Sequence, residues 1–394
     1  MARWVILVLS SQNRNPPKSL ILLKMSDYLP QQVVVEILVR LPVKSLIKCI
    51  TVCKSWRSLV ESSAFTDTHL SRQNDNTNLL LLKVGTRDCD LCLLHNPETG
   101  ESNNLIQSTQ TSRLEFDVHG TCNGLICLSS QSHDSHLPYF AIIWNPSIRR
   151  FVFLPRPRVV DYENVEQFHA FGFDMPTNDY KVLRIMSYLD RSDVPPNTPY
   201  EVEVYSLARG SWKSLSAVVV PKDYNHYLEF RDGVLLNGSL HWFQLGNNRD
   251  NFIVTFDMYN EIFCEMVVPD AIKTGLHILC MTRYGESLAI VDMAELDGFE
   301  ATFHVWVMNK YGVIDSWNVL YSVRLRGLPY DTLRPFGLTR NGEFMIDMFF
   351  SGLFYVNYNS CQAVRFAIDG SDWCFVDSFV ESLVLLSQAN AISY

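Results

Sequence analysis

The sequence predicts a small all-α unit of three short helices followed by an all-β propeller of about six blades, with seven as the alternative. Three observations predict it. Apolar residues between 29 and 60 fall at helical spacing, broken by prolines. From about residue 77 the spacing becomes strand-like and stays so to the end. Within that second part, aromatic residues recur at intervals near fifty.

Leu29-Pro30 opens the first helix, where the missing proline N–H would be unpaired in any case. Val34, Ile37, Leu38 and Leu41 then form one helical face. Pro42 stops the run, because its ring cannot continue a helix without a clash. Val43, Leu46, Ile47 and Ile50 repeat the same spacing, and Val52, Trp56, Leu59 and Val60 supply a third stripe. So few residues bury too little surface to stand alone, so this unit requires a partner.

The β part is read from recurring segments. Asn123-Gly124, Asn237-Gly238 and Asn341-Gly342 each open a strand, and Asn-Gly suits a type I′ hairpin turn because both residues tolerate positive φ. Two further copies lack this opener. Taking Trp144, Tyr205, Phe256, Trp306 and Tyr355 as third-strand anchors gives separations of 61, 51, 50 and 49 residues. Leu94-His95 extends the series backwards. The Pro-rich DRSDVPPNTP accounts for the longest interval as an insertion within one blade. A sheet of four short strands cannot cover both its faces, so such units pack around an axis. Ring closure requires the chain's two ends to share a blade, and TNLLLLKV near residue 80 is the expected contributor, completing the last sheet.

The helical segment resembles the F-box through Leu29-Pro30, Glu36-Ile37-Leu38, Arg40-Leu41-Pro42, Lys44-Ser45-Leu46 and Val52-Cys53-Lys54-Ser55-Trp56. The later segments CNGLICL, WNPSIRR, FGFDMPTNDYKVLRI, VEVYSLARGSWK, LNGSLHW and FVESLVLL resemble the kelch-like F-box-associated domain of plant F-box proteins, S-locus F-box-like members included. The resemblance implies the substrate receptor of an SCF-type ubiquitin ligase. Its F-box would bind a Skp-type adaptor, and through it cullin and RING subunits, with Leu29, Pro30, Ile37, Leu38, Leu41, Pro42, Leu46 and Trp56 as adaptor contacts. It further implies a cytoplasmic or nuclear protein with no cofactor and no catalysis of its own. The expected domains are an N-terminal extension at 1–24, disordered and dispensable, the F-box at 25–70 and the propeller at 77–390.

Composition narrows the partners. A formal net charge of -9 with pI near 5.6 argues against nucleic acid and favours a basic protein target through electrostatic steering. WVILVL at 4–9 is too short for a membrane span or a signal core, and no membrane partner is expected. Ten cysteines scattered in apolar runs read as reduced thiols. Cys89, Cys92, Cys122, Cys127, His133 and His136 do not make a convincing zinc spacing.

No nucleophile elbow, zincin, Walker A or dinucleotide motif occurs. His169, His241 and His304 read as packed strand residues, and Asp174, Asp179, Asp257 and Asp292 as turn residues. Recognition is assigned to the longer polar loops 156–167, 189–199 and 222–227, with Arg156, Arg158, Tyr162, Arg191 and Tyr224 as target-binding candidates. The rival reading is a propeller enzyme, or a glycan- or small-molecule-binding module, with a helical cap.

Overall fold

The computed structural model describes residues 30–74, 79–85, 90–107, 115–131, 140–158, 165–188, 201–215, 233–245, 251–273, 278–297, 300–327, 333–339, 341–348, 352–365 and 374–394. The expected extension at 1–24 lies outside them. The chain divides into two compact units, Met1–Arg72 and Gln73–Tyr394.

The first unit contains four helices among the described residues, not three. They are α1 (Gln31–Leu38), α2 (Val43–Cys49), α3 (Lys54–Val60) and α4 (Ser63–Asn74). Pro30 and Pro42 stand just before α1 and α2 with extended ψ, and their carbonyls accept the first helical N–H groups. Ser62 precedes α4 and caps it by accepting the Phe65 N–H at 3.3 Å. The core consists of Val34, Leu38, Val39, Val43, Leu46, Cys49, Val60 and Phe65. The fourth helix escaped the sequence reading because SAFTDTHLSRQN carries almost no apolar stripe. Its anchor is polar: buried His69 donates from Nε2 to the Leu41 carbonyl at 2.9 Å. Burial lowers the His69 pKa, and that hydrogen bond pulls it partly back.

The second unit is a closed ring of six antiparallel sheets. Blade 1 runs Cys374–Phe379, Leu79–Gly85, Asp90–His95 and Ser102–Gln107 from inside outward. Blade 2 comprises Glu115–Cys122, Leu125–Gln131, Ala141–Asn145 and Arg150–Phe153, and blade 3 comprises Val165–Asp174, Asp179–Tyr188, Glu201–Ser206 and Ser211–Ser214. Blade 4 comprises Val234–Leu236, Ser239–Leu245, Asn251–Asp257 and Ile262–Val267. Blade 5 comprises Ile278–Tyr284, Ser287–Asp297, Glu300–Met308 and Trp317–Arg326, and blade 6 comprises Leu333–Leu338, Phe344–Met348, Gly352–Asn357 and Gln362–Arg365. The innermost strands meet their neighbours around the ring, save that blade 3 meets blade 4 at its second strand.

Each of the six junctions between blades is filled by an apolar cluster. Strand Leu79–Gly85 shows why its leucines follow one another from 79 to 82 rather than alternating with polar residues. Leu80, Leu82 and Val84 enter the junction with blade 6, while Leu81, on the opposite face, enters the junction with blade 2. All the anchors, from Leu94-His95 to Tyr355, occupy third strands.

Closure joins the two chain ends in one sheet, as expected, but the division differs. Three strands come from the beginning of this unit, and the end contributes one, Cys374–Phe379, paired antiparallel with Leu79–Gly85. The chain then turns back as a clasp that the sequence reading did not foresee. Asn145 Nδ2 donates to the Val384 carbonyl at 2.8 Å, and Arg150 donates to the carbonyls of Leu385, Leu386, Gln388 and Ala391. Ile392–Ser393 finally pairs with the outer strand of blade 2.

The turns that join first to second strands, and third to fourth, gather at one end of the blades, the longest being 309–316 in blade 5. Asn123-Gly124 and Asn237-Gly238 have the two positive φ values expected of them. At Asn341-Gly342 the glycine has a positive φ of 81°, and the Thr339 N–H bonds the Glu343 carbonyl across the turn. Asp174 and Asp257 brace turns, and Asp179 accepts from Ser206 and the Ala208 N–H. Asp292 is a correction: it lies buried within Ser287–Asp297, opposite Leu279 and His304, not in a turn.

Candidate functional site

Helix α1 divides its apolar residues between two neighbouring stripes. Val34 and Leu38, four apart, face inward. Val33 and Ile37, also four apart, are 42% and 38% exposed. Val52, before α3, is 51% exposed; Pro30 and Pro42 are exposed, and Leu41 and Trp56 are half-buried. Of the adaptor-contact candidates, Pro30, Ile37, Leu41, Pro42 and Trp56 therefore reach the surface. Leu38 and Leu46 are 1% and 0% exposed and hold the unit together from inside. Leu29 lies outside the described residues. Val33 and Val52 were missed as surface residues, although Val33 precedes Ile37 by one helical repeat. Glu36 pairs with Arg40 and Arg72 at 3.3 Å each, a bridge exposed enough to contribute little energy.

In the propeller, the opposite end carries the connections from blade to blade, because each joins the last strand of one blade to the first strand of the next. Arg156 and Arg158 belong to the connection between blades 2 and 3, and both are exposed. Tyr162, Arg191 and Tyr224 lie outside the described residues. Beneath Arg158 sits a buried ion pair, Arg184 Nη1 to Glu203 Oε2 at 2.8 Å. Glu203 Oε1 accepts the Arg158 N–H at 3.1 Å, and Arg184 Nε donates to Gln167 Oε1 at 3.0 Å. The pair thereby fastens the entry of this connection to the blade. Nothing in the spacing of Arg184 and Glu203 announces it, because they meet only across two strands.

Beside this pair, the rings of His119 and His169 lie 4.7 Å apart, and His119 Nε2 is 2.7 Å from Ser129 Oγ. Burial pushes His119 down to about 4, the Asp117 charge opposing and Lys83 assisting. His169 is held well below the ordinary histidine range, by burial and then by His119 and Arg184. Both are neutral packing groups near neutral pH. Among the described residues, no group of three His, Cys, Asp or Glu side chains is gathered as for a metal. Cys92 and Cys122 are each pushed up to about 12 by burial, and Cys127 is raised too, so these are inert thiols. Cys89, His133 and His136 lie outside the described residues.

Residues 27–68 match the model of the F-box domain, and residues 79–371 match that of the F-box associated beta propeller domain. The chain is a plant-type F-box protein of the F-box-associated β-propeller family. Relatives of this F-box protein include F-box protein CPR1 of Arabidopsis thaliana, 30% identical over 75% of this chain and 73% of the relative. The F-box/kelch-repeat protein At3g23880 of the same plant is 28% identical over 86% and 89% of the two chains. Because the matched F-box reaches only residue 68, α4 of this F-box protein continues beyond it.

Proposed function

We infer that this F-box protein is the target-recognition subunit of an SCF-type ubiquitin ligase. The observation that carries the reading is the F-box at 27–68 with an apolar stripe, Val33 and Ile37, left uncovered beside a filled core. A Skp-type adaptor takes up that stripe and links the chain to cullin and RING subunits. Ubiquitin transfer is performed by the enzyme they recruit, so this chain contributes binding and no catalysis. The propeller holds the target, a protein that the net charge of -9 favours being basic, at the end carrying the blade-to-blade connections. Such a subunit works in the cytoplasm or nucleus.

Affinity capture tests the first half: a Skp-type adaptor retains the wild-type chain and releases the Leu41→Asp/Pro42→Ala variant. Undiminished capture of that variant rejects this docking face. Reconstitution with adaptor, cullin, RING subunit and ubiquitin-conjugating enzyme tests the second. Ubiquitin must reach a co-captured protein only when the wild-type chain is present.

A further inference from the structure

At the short-turn end of the propeller, the innermost strands of five blades surround a cavity of about 300 Å³. Its size falls at the lower end of small-molecule sites, roughly 300–1,000 Å³. The wall is mixed: Met281, Phe336, Leu338 and Val376 give it apolar area, and Arg283 and Asp377 give it charge.

Arg283 is the unusual member. It stands on the innermost strand of blade 5, yet its Nη2 donates to Ser378 Oγ on blade 1 at 2.5 Å, reaching past blade 6 across the axis. A guanidinium carries five N–H donors, and this is its one hydrogen bond among the described residues. No carboxylate there lies within ion-pair distance of it. Asp377 is instead occupied by Thr121 Oγ1 at 3.3 Å and by the Ser378 N–H at 2.7 Å. Burial raises its carboxyl pKa, and Arg283 and those hydrogen bonds only partly offset this.

We propose that this axial cavity binds a small monocarboxylate with an apolar body, its carboxylate paired with Arg283. A planar carboxylate matches the guanidinium fork. Asp377 and Glu286 on the same wall disfavour a more highly charged anion such as phosphate. The apolar wall receives the hydrocarbon part. The site does not depend on the ligase reading: a chain that fails to bind an adaptor still binds the acid if the cavity is as described.

The test titrates the full-length chain with phenylacetate, phenylacetamide and inorganic phosphate, followed by calorimetry. A pentapeptide ending in phenylalanine, with a free or an amidated C-terminus, separates a free acid from a protein's terminal carboxylate as the source. Saturable binding of phenylacetate or the free-acid peptide is expected, at least about tenfold tighter than the matching amide and tighter than phosphate. Arg283→Gln should weaken it at least about tenfold, with Arg283→Lys recovering part. The acid–amide comparison is read on the wild-type chain, so it decides the matter even if a variant fails to fold. Equal binding of acid and amide, preference for phosphate, no saturable acid binding in the millimolar range, or full affinity in a folded Arg283→Gln chain would each overturn the proposal.

Discussion

Lys181 of blade 3 places its Nζ 3.2 Å from Glu261 Oε1 in the third turn of blade 4, tying two blades across an apolar junction. The same ammonium lies 2.8 Å from Asp174 Oδ2 and donates to the Met258 carbonyl at 2.6 Å. Burial alone would raise the Glu261 carboxyl, but hydrogen bonds and charge from Lys213 and Lys181 outweigh it and leave it below its ordinary range. Replacing the cation therefore leaves buried Asp174 without its ion-pair partner and Glu261 with Lys213 alone. Lys181→Met is expected to destabilise the propeller by about 3 kcal/mol, read from urea denaturation, whereas adding Glu261→Gln restores part of the loss. Additive losses would show that the two residues do not act as a pair.

The clasp closes the ring a second time. Arg150 serves four carbonyls of the returning chain, so Arg150→Met removes the guanidinium donor from all four, leaving those of Leu385 and Gln388 with a backbone N–H only, and is expected to cost about 2–3 kcal/mol. Gly124 has φ +77 and lies where a Cβ would meet the Val380 carbonyl oxygen at 2.5 Å. Gly124→Ala is therefore strained twice and should cost at least about 1 kcal/mol. Removing residues 380–394 should lower the melting temperature by more than either substitution. An unchanged melting temperature in the truncated chain would contradict the clasp.

Acid should weaken the propeller before the ordinary carboxylate range is reached. His241 is wholly buried, donates from Nδ1 to the Val234 carbonyl and accepts the Tyr311 hydroxyl at Nε2. Burial lowers it to about 4, as it does His119. An unfolded histidine takes up its proton near 6.5, so the unfolded chain binds more protons between about 6.5 and 4 and stability falls as pH drops through that window. Glu261, lowered, adds to the loss at more acid pH; Asp377, raised, opposes it. His241→Gln should flatten the slope by up to about 1.4 kcal/mol per pH unit within the window. Parallel wild-type and variant profiles would refute the assignment.

Periodicity made much of this architecture legible, because blade packing fixes where large side chains belong. Trp144, Tyr205, Phe256, Trp306 and Tyr355 mark equivalent strands for that reason. The misreadings share a physical cause: each depends on contacts distant in sequence. Asp292 looked like a turn residue because it follows the apolar run Leu288–Val291, yet strands on both sides enclose it. Helix α4 is held by His69 and the Leu41 carbonyl, 28 residues away, without an apolar stripe to announce it. The clasp joins Asn145 and Arg150 to residues more than 230 positions later. In the helical unit, helical spacing located the apolar residues but could not assign Leu38 inward and Ile37 outward. That requires knowing which neighbours cover them.

Inward and outward residues of the helical unit must therefore fail differently. Leu46→Ala opens a cavity and is expected to cost about 2–5 kcal/mol, lowering the unit's own unfolding midpoint. Val33→Ser removes exposed surface alone and should leave that midpoint within about 0.5 kcal/mol. Equal losses in the two would mean that the assignment of core and surface is wrong.

The dissociation constant between the full-length chain and a Skp-type adaptor, measured for wild type and Ile37→Asp with melting curves on the same samples, tests the central claim most directly. A loss of at least roughly thirtyfold with unchanged melting is the predicted result. Wild-type affinity in a folded Ile37→Asp chain would contradict it.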